Sequence, residues 1–167
     1  RPFVPLDCAA VGESSVETEL FGYERGAVPG ADRSRDGQLQ RADRGTLFLD
    51  DVAALPAAIQ SRLFRALRER RVQAVGGTRA APIDVRVIAA SRSPVDHEVR
   101  AGRLRQDLAQ LLAERRVPVP PLRERREDIM ALANRFAEEM AMERGRPLRA
   151  ISVAGWQVLL AHAWPRN

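Results

Sequence analysis

The sequence predicts an α/β fold, a parallel sheet with crossover helices, followed by a small all-helical part. Three observations carry this. Short apolar runs at 3–6, 46–49 and 85–90 have the length of strands, and helical spacing of apolar residues fills the interval before the last of them. Beyond residue 120 helical periodicity continues with no further strand.

Taken in order, Phe3 to Leu6 is the first strand. Ser14 with Glu17 three residues later is a capping-box pattern, which predicts a short helix from Ser14 to Phe21. Thr46 to Leu49 is a second strand that runs into Asp50 and Asp51. Pro56 suits the first turn of a longer helix, in which Ile59, Leu63, Ala66 and Leu67 recur on one face. Val85 to Ala90, interrupted only by Arg86, is the third strand, and such continuous apolar runs predict strands that are buried. The prolines at 118, 120 and 121 break the pattern, so we place a boundary there: an α/β subdomain over 1–120 and the start of a helical subdomain over 121–167. In the second part Ile129, Leu132, Ala133, Phe136 and Met140 form a helical stripe. Ser152 to Ala163 is a further helix with Trp156, Leu159 and Leu160 on its apolar side, and Met140 and Trp156 are expected in the core.

Composition narrows the function classes. With 167 residues, 45% hydrophobic and 29% charged, the chain has the balance of one globular domain rather than a tail or a repeat array. No run approaches the ~20 apolar residues of a membrane span, and Arg1-Pro2-Phe3 does not open a signal peptide, so a cytoplasmic protein without a membrane partner is expected. Cys8 is the single cysteine and cannot form an internal disulfide, while His97 and His162 lack partners at metal-ligand spacing. The net charge of +5 comes from 27 basic and 22 acidic residues, and every basic residue is arginine. The arginines are interleaved with acids, as in Arg123-Glu124-Arg125-Arg126-Glu127-Asp128, which reads first as a solvated surface and leaves a nucleic-acid face open without implying one.

Asp50 carries the most informative position. A carboxylate at the end of a parallel strand sits where ligands gather in such sheets and can hold Mg²⁺ on a nucleotide. On spacing alone, a strand running into a polar turn fits equally well.

Six motifs in one order separate these readings. They are Glu19-Leu20-Phe21-Gly22-Tyr23-Glu24-Arg25-Gly26-Ala27, Gly45-Thr46-Leu47-Phe48-Leu49-Asp50-Asp51, Val75-Gly76-Gly77, Asp84-Val85-Arg86-Val87-Ile88-Ala89-Ala90, Pro120-Pro121-Leu122-Arg123-Glu124-Arg125 and Trp164-Pro165. Together they resemble the central AAA+ domain of sigma-54-dependent transcription activators, the bacterial enhancer-binding proteins, along essentially the whole chain. The resemblance implies part of a P-loop NTPase sheet with flanking helices and the beginning of a helical lid. It also implies a ring of subunits that bind ATP with Mg²⁺, hydrolyse it between neighbours and remodel sigma-54 RNA polymerase. DNA contact is expected only through a domain outside this chain.

Residue by residue, Asp50 takes the place of the Walker B acid, the Mg²⁺ and nucleotide ligand. Asp51 stands where the family has the glutamate that polarises the attacking water, and its carboxylate is withdrawn by about an ångström, a displacement that can cost ~10²-fold in rate. Asp7 stands where an asparagine restrains that glutamate; beside Asp51 it is expected to repel it unless a proton or an ion intervenes. Arg92 replaces the asparagine that senses the terminal phosphate, and a guanidinium pairs well with phosphate oxygens. Arg105 matches the first arginine finger, the second falls on Leu111, and Arg103 or Arg115 are possible substitutes. The sigma-54 contact loop corresponds to Gly26, Ala27, Val28, Pro29, Gly30 and Ala31, with Val28 and Pro29 in place of phenylalanine and threonine. That exchange removes a large aromatic contact and a hydroxyl, and fixes one φ. Cys8 falls on a family cysteine and reads as a small buried thiol.

The phosphate loop G-x-x-x-x-G-K-[ST] needs a lysine and these residues contain none. In the family it lies upstream of the position of Arg1, so a fragment of a longer product, or a gene that has lost the loop, is expected. Trp164-Pro165-Arg166-Asn167 falls in a motif that in the family continues to a second sensor arginine, with Arg166 in place of glycine. Three functions stay open: part of an ATP-hydrolysing activator, a non-hydrolysing regulatory or oligomerisation module, and an inactive fragment.

Overall fold

The three apolar runs form one parallel sheet with the run at 46–49 in the middle. The computed structural model describes residues 1–147 and 150–165, in two units, Arg1–Arg116 and Val117–Asn167. In the first unit the elements are β1 (Phe3–Asp7), α1 (Glu13–Phe21), α2 (Gln38–Arg41), β2 (Thr46–Asp50), α3 (Ala57–Glu69), β3 (Arg71–Gln73), β4 (Ala80–Pro82), β5 (Arg86–Ala89), α4 (Val95–Arg100) and α5 (Gln106–Leu112). The register sets Leu6 against Leu49 and Leu47 against Val87, and it brings the strand-end acids Asp7 and Asp50 side by side.

Strand alternation divides the sheet into two unlike faces. Val4, Leu6, Leu47, Leu49, Val87 and Ala89 join the core made with α1, α3 and α5, in which Leu47, Leu49, Leu63 and Leu108 are fully buried. The opposite face carries Phe3, Pro5, Phe48 and Ile88. Phe3 stacks on Phe48 with ring centroids 6.1 Å apart, yet Phe3 is 62% and Ile88 41% exposed. The expectation of buried strands therefore holds for one face, because no described element packs on the other.

Helix α1 starts one residue earlier than expected and without the capping box: Gly12 precedes it and no side chain caps it. Glu17 is instead ion-paired with Arg62, whose guanidinium lies 4.3 Å above the Phe21 ring. A partner on α3 takes the place of the local cap. Pro56 is the residue before α3 rather than in its first turn, and Ile59, Leu63 and Ala66 are buried as the periodicity predicts. The antiparallel β3–β4 pair and the short helices α2, α4 and α5 have too few residues to show a period.

The second unit holds α6 (Glu127–Arg144) and α7 (Val153–Ala161). Ser152 caps α7 by accepting the Gly155 N–H at 3.1 Å, and the Trp164 indole N–H donates to the Leu159 carbonyl at 2.9 Å. Of the predicted α6 stripe Ile129 is buried, while Phe136 is 56% and Met140 47% exposed, and Trp156 is half-buried. Met140 is thus not a core residue, since two packed helices cover only one line of a stripe. Arg166 lies outside the described residues. Among those described, no helix is long and apolar enough to cross a membrane.

Candidate functional site

The acids gather at the carboxyl edge of the parallel sheet because β1 and β2 end together. The Cys8 N–H extends the β1–β2 pairing to the Asp50 carbonyl at 2.9 Å. Asp7 Oδ1 then accepts the N–H groups of Ala9 and Ala10 at 3.0 and 3.1 Å, closing a turn on its own side chain. Asp51 follows Asp50 in a left-handed conformation with φ 57° and ψ 59°, a conformation that costs a non-glycine residue roughly 1–2 kcal/mol and that aspartate tolerates better than most. That turn is fastened to β5: the Val52 N–H donates to the Ala90 carbonyl at 3.0 Å and the Ala90 N–H to the Leu49 carbonyl at 2.8 Å.

Two residues beyond Ala90, Arg92 places Nε 3.2 Å from Asp51 Oδ2. The Asp51 side chain is 17% exposed and that of Arg92 68%. The structure thus assembles Asp7, Asp50, Asp51 and Arg92 at one edge. It revises the expected opposition of Asp7 and Asp51: Asp7 is aligned with Asp50 and spent on its own turn, and the partner of Asp51 is Arg92. Cys8 is buried behind these acids. Its thiol is pushed up to about 12, first by burial and then by the negative charges of Asp51, Asp7 and Asp50, so it keeps its proton and is no nucleophile.

Arg105 sits elsewhere, immediately before α5. Its backbone N–H donates to Gln60 Oε1 at 2.8 Å, and its guanidinium makes a two-point pair with Asp107, Nε to Oδ1 at 3.1 Å and Nη2 to Oδ2 at 2.7 Å. This pairing holds the Asp107 carboxyl below its ordinary range. Arg103, a possible stand-in for a second finger, is engaged with Glu98 at 2.7 and 3.0 Å. Glu98 is 5% exposed, and the Arg103 hydrogen bond foremost draws its carboxyl down to about 2. Sequence reasoning missed Gln60, Glu98 and Asp107. The available signal was Gln60 beside Ile59 and near Leu63, a polar residue interrupting an otherwise apolar stripe.

The loop from Gly26 to Ala31 closes on itself, with the Gly26 N–H donating to the Ala31 carbonyl at 2.8 Å and the Ala31 N–H to the Val28 carbonyl at 3.0 Å. Gly26 and Gly30 take φ values of 78° and 79°, which explains their being glycine. Ala31 is buried, Val28 half-buried and Pro29 exposed. Val75 anchors the base of the loop by accepting the Glu24 N–H at 3.0 Å, and Gly76 lies so close to Ala27 that a Cβ there would approach the Ala27 Cβ to 2.5 Å.

Residues 1–117 match the family described as the sigma-54 interaction domain. This chain belongs to that family. Residues 123–167 match a second family, the AAA+ ATPase lid domain. Among relatives, the sigma-54 interaction domain chain is 45% identical over 167 residues to the transcriptional regulatory protein ZraR of Klebsiella oxytoca and 43% identical over 167 residues to the response regulator protein PilR of Pseudomonas aeruginosa. It is 40% identical over 167 residues to the Nif-specific regulatory protein of Azotobacter vinelandii. All of this chain aligns in each, but it spans only 38%, 38% and 32% of their lengths. The crystal structure of NtrX from Brucella abortus superposes with a TM-score of 0.91 at 36% identity, covering 99% of this chain and 37% of that one. NtrX in complex with ATP matches with a TM-score of 0.87 at 35% identity, covering 99% of this chain and 36% of that one. The resemblance drawn from the six motifs and the α/β fold class are both thereby established.

Proposed function

We propose that this sigma-54 interaction domain chain contributes the catalytic edge of an ATP-hydrolysing transcription activator. The observation that carries the reading is the placement of Asp7 and Asp50 level with each other at the ends of adjacent parallel strands, with Asp51 next in the chain and paired to Arg92, in a fold that has an ATP-bound relative. The donor set fits Mg²⁺, a hard cation that takes one or two carboxylates and leaves its other positions to phosphate and water. Asp50 is its ligand, and the metal when bound offsets the charge of the phosphates. Asp51 orients water toward the terminal phosphate, and Arg92 receives that phosphate through its guanidinium. Arg105 reaches a nucleotide held by a neighbouring copy, which makes a ring the working form. The loop from Gly26 to Ala31 faces sigma-54, and DNA is contacted by parts of the protein other than these. The phosphate cradle must likewise come from residues other than these 167, which contain no lysine.

A second reading has specific support. Asp51 is tied to Arg92 and Arg105 to Asp107, so both the water-orienting acid and the finger are occupied within the chain. A regulatory module that binds nucleotide without hydrolysing it fits those pairs.

The test is a titration of the isotopically labelled chain with ATP and Mn²⁺, a paramagnetic stand-in for Mg²⁺. Signals of residues 7–8, 50–52 and 92 are expected to broaden in the native chain and to stay sharp in Asp50→Ala. Equal broadening in both sinks the metal assignment. Phosphate release, measured on a protein carrying this chain together with a phosphate loop, separates the hydrolysing from the binding-only reading.

A further inference from the structure

The resemblance gives Asp7 the place of the residue that restrains the water-orienting acid; here its Oδ1 accepts two backbone N–H groups, and its strand position is level with Asp50. Asp51 has one ion-pair partner among the described residues, Arg92. The pair does not depend on two long chains meeting by chance. Backbone bonds from Val52 to Ala90 and from Ala90 to Leu49 clamp the turn holding Asp51 against the end of β5, and Arg92 stands two residues further on. The closest approach of the pair is Arg92 Nε to Asp51 Oδ2, at 3.2 Å. The contact is an ion pair without hydrogen-bond alignment, and the Arg92 side chain is 68% exposed, so its guanidinium fork is open to phosphate oxygens.

We propose that Arg92 is the positioning residue that restrains Asp51, in place of Asp7, and that a phosphate anion arriving at this edge draws the guanidinium away and frees the carboxylate. This rests on the reading of the edge as a nucleotide site. It makes one cation both the restraint and the receiver of the releasing signal. A pair with so exposed a member is weak, so its release changes anion affinity by only about two- to fivefold.

The test uses this chain, inorganic tripolyphosphate as the anion, and NMR of the Arg92 Nε–H and the Asp51 carboxyl carbon. Both signals are expected to move with one midpoint. Asp51→Asn is expected to tighten binding two- to fivefold more than Asp7→Asn, which removes a neighbouring charge without touching Arg92. In an Arg92→Gln background the two substitutions are expected to have equal effects. Arg92→Lys keeps the charge but lacks the fork, and should bind with the Asp51 carbon unmoved. All four are compatible with the fold: asparagine suits the left-handed turn at Asp51, the amide oxygen in Asp7→Asn still accepts from Ala9 and Ala10, and Arg92 is on the surface. An excess effect of Asp51→Asn that survives in Arg92→Gln overturns the proposal. So does anion binding that shifts the amides of Cys8 and Asp50 while the Asp51 carbon stays in place. A chain in which none of these signals moves overturns this proposal, and the Mn²⁺ experiment then decides the nucleotide reading independently.

Discussion

Replacing Gln60 with leucine removes three hydrogen bonds at once. Gln60 is 1% exposed; its Nε2 donates to the carbonyls of Leu55 and Arg103, both at 2.7 Å, and its Oε1 accepts the Arg105 N–H at 2.8 Å. Leucine has nearly the same volume, so the loss lies in backbone groups left without partners rather than in a cavity. A buried polar group without a partner costs about 1–3 kcal/mol. Leu55 is in the core and its carbonyl bears that cost in full, whereas Arg103 and Arg105 are exposed residues whose backbone groups regain water in part. The sum is about 2–4 kcal/mol. With a urea slope of about 1.5–2 kcal/mol/M, the unfolding midpoint should fall by roughly 1–3 M. Hydrogen exchange at the Arg105 amide should accelerate, since its acceptor is gone. Gln60→Glu should be worse at neutral pH, because it sets a carboxylate against two carbonyls while keeping the acceptor for Arg105. A midpoint shift under about 0.3 M, or an Arg105 amide as protected as before, would refute the reasoning.

The remaining predictions use the same groups. Glu98 has its carboxyl lowered from 4.5 to about 2, so its stabilising contribution is present above 4.5 and is lost as pH falls through the window between those values; urea midpoints followed against pH should show that loss, and Arg103→Met should remove it. Cys8, with its thiol at about 12, should resist a thiol reagent at pH 8 in the native chain and react promptly in denaturant; rapid native labelling would contradict its burial. Gly76→Ala forces a Cβ to 2.5 Å from that of Ala27 at φ 72°, so destabilisation by about 1–3 kcal/mol is expected, with chemical-shift changes spread over residues 26–31. Val28→Phe with Pro29→Thr restores the family's residues in the loop and should increase binding to purified sigma-54; unchanged binding would remove the loop from that role.

The three strands of the parallel sheet were legible because each is a local apolar run, and α3 because its period repeats over thirteen residues; the short β3 and β4 were not. The capping box failed because Glu17 had a partner in Arg62, far away in the chain, that no local pattern reveals. Met140 failed because a periodic stripe states which residues share a face, not whether anything lies against that face. Asp7, Asp50, Asp51 and Arg92 could be named in advance, since each matches a motif position; their partners could not.

The order of motifs in the sequence by itself determined the family and the α/β class and named candidate site residues, because apolar period and strand-end acids are properties of neighbours in the chain. Only the tertiary structure decided that Arg92 rather than Asp7 meets Asp51, that Gln60 ties α3 to Arg105, and that one face of the sheet is open. Those outcomes depend on contacts between residues forty or more positions apart, or on strand register, and a single polar side chain does not announce which distant backbone group will satisfy it.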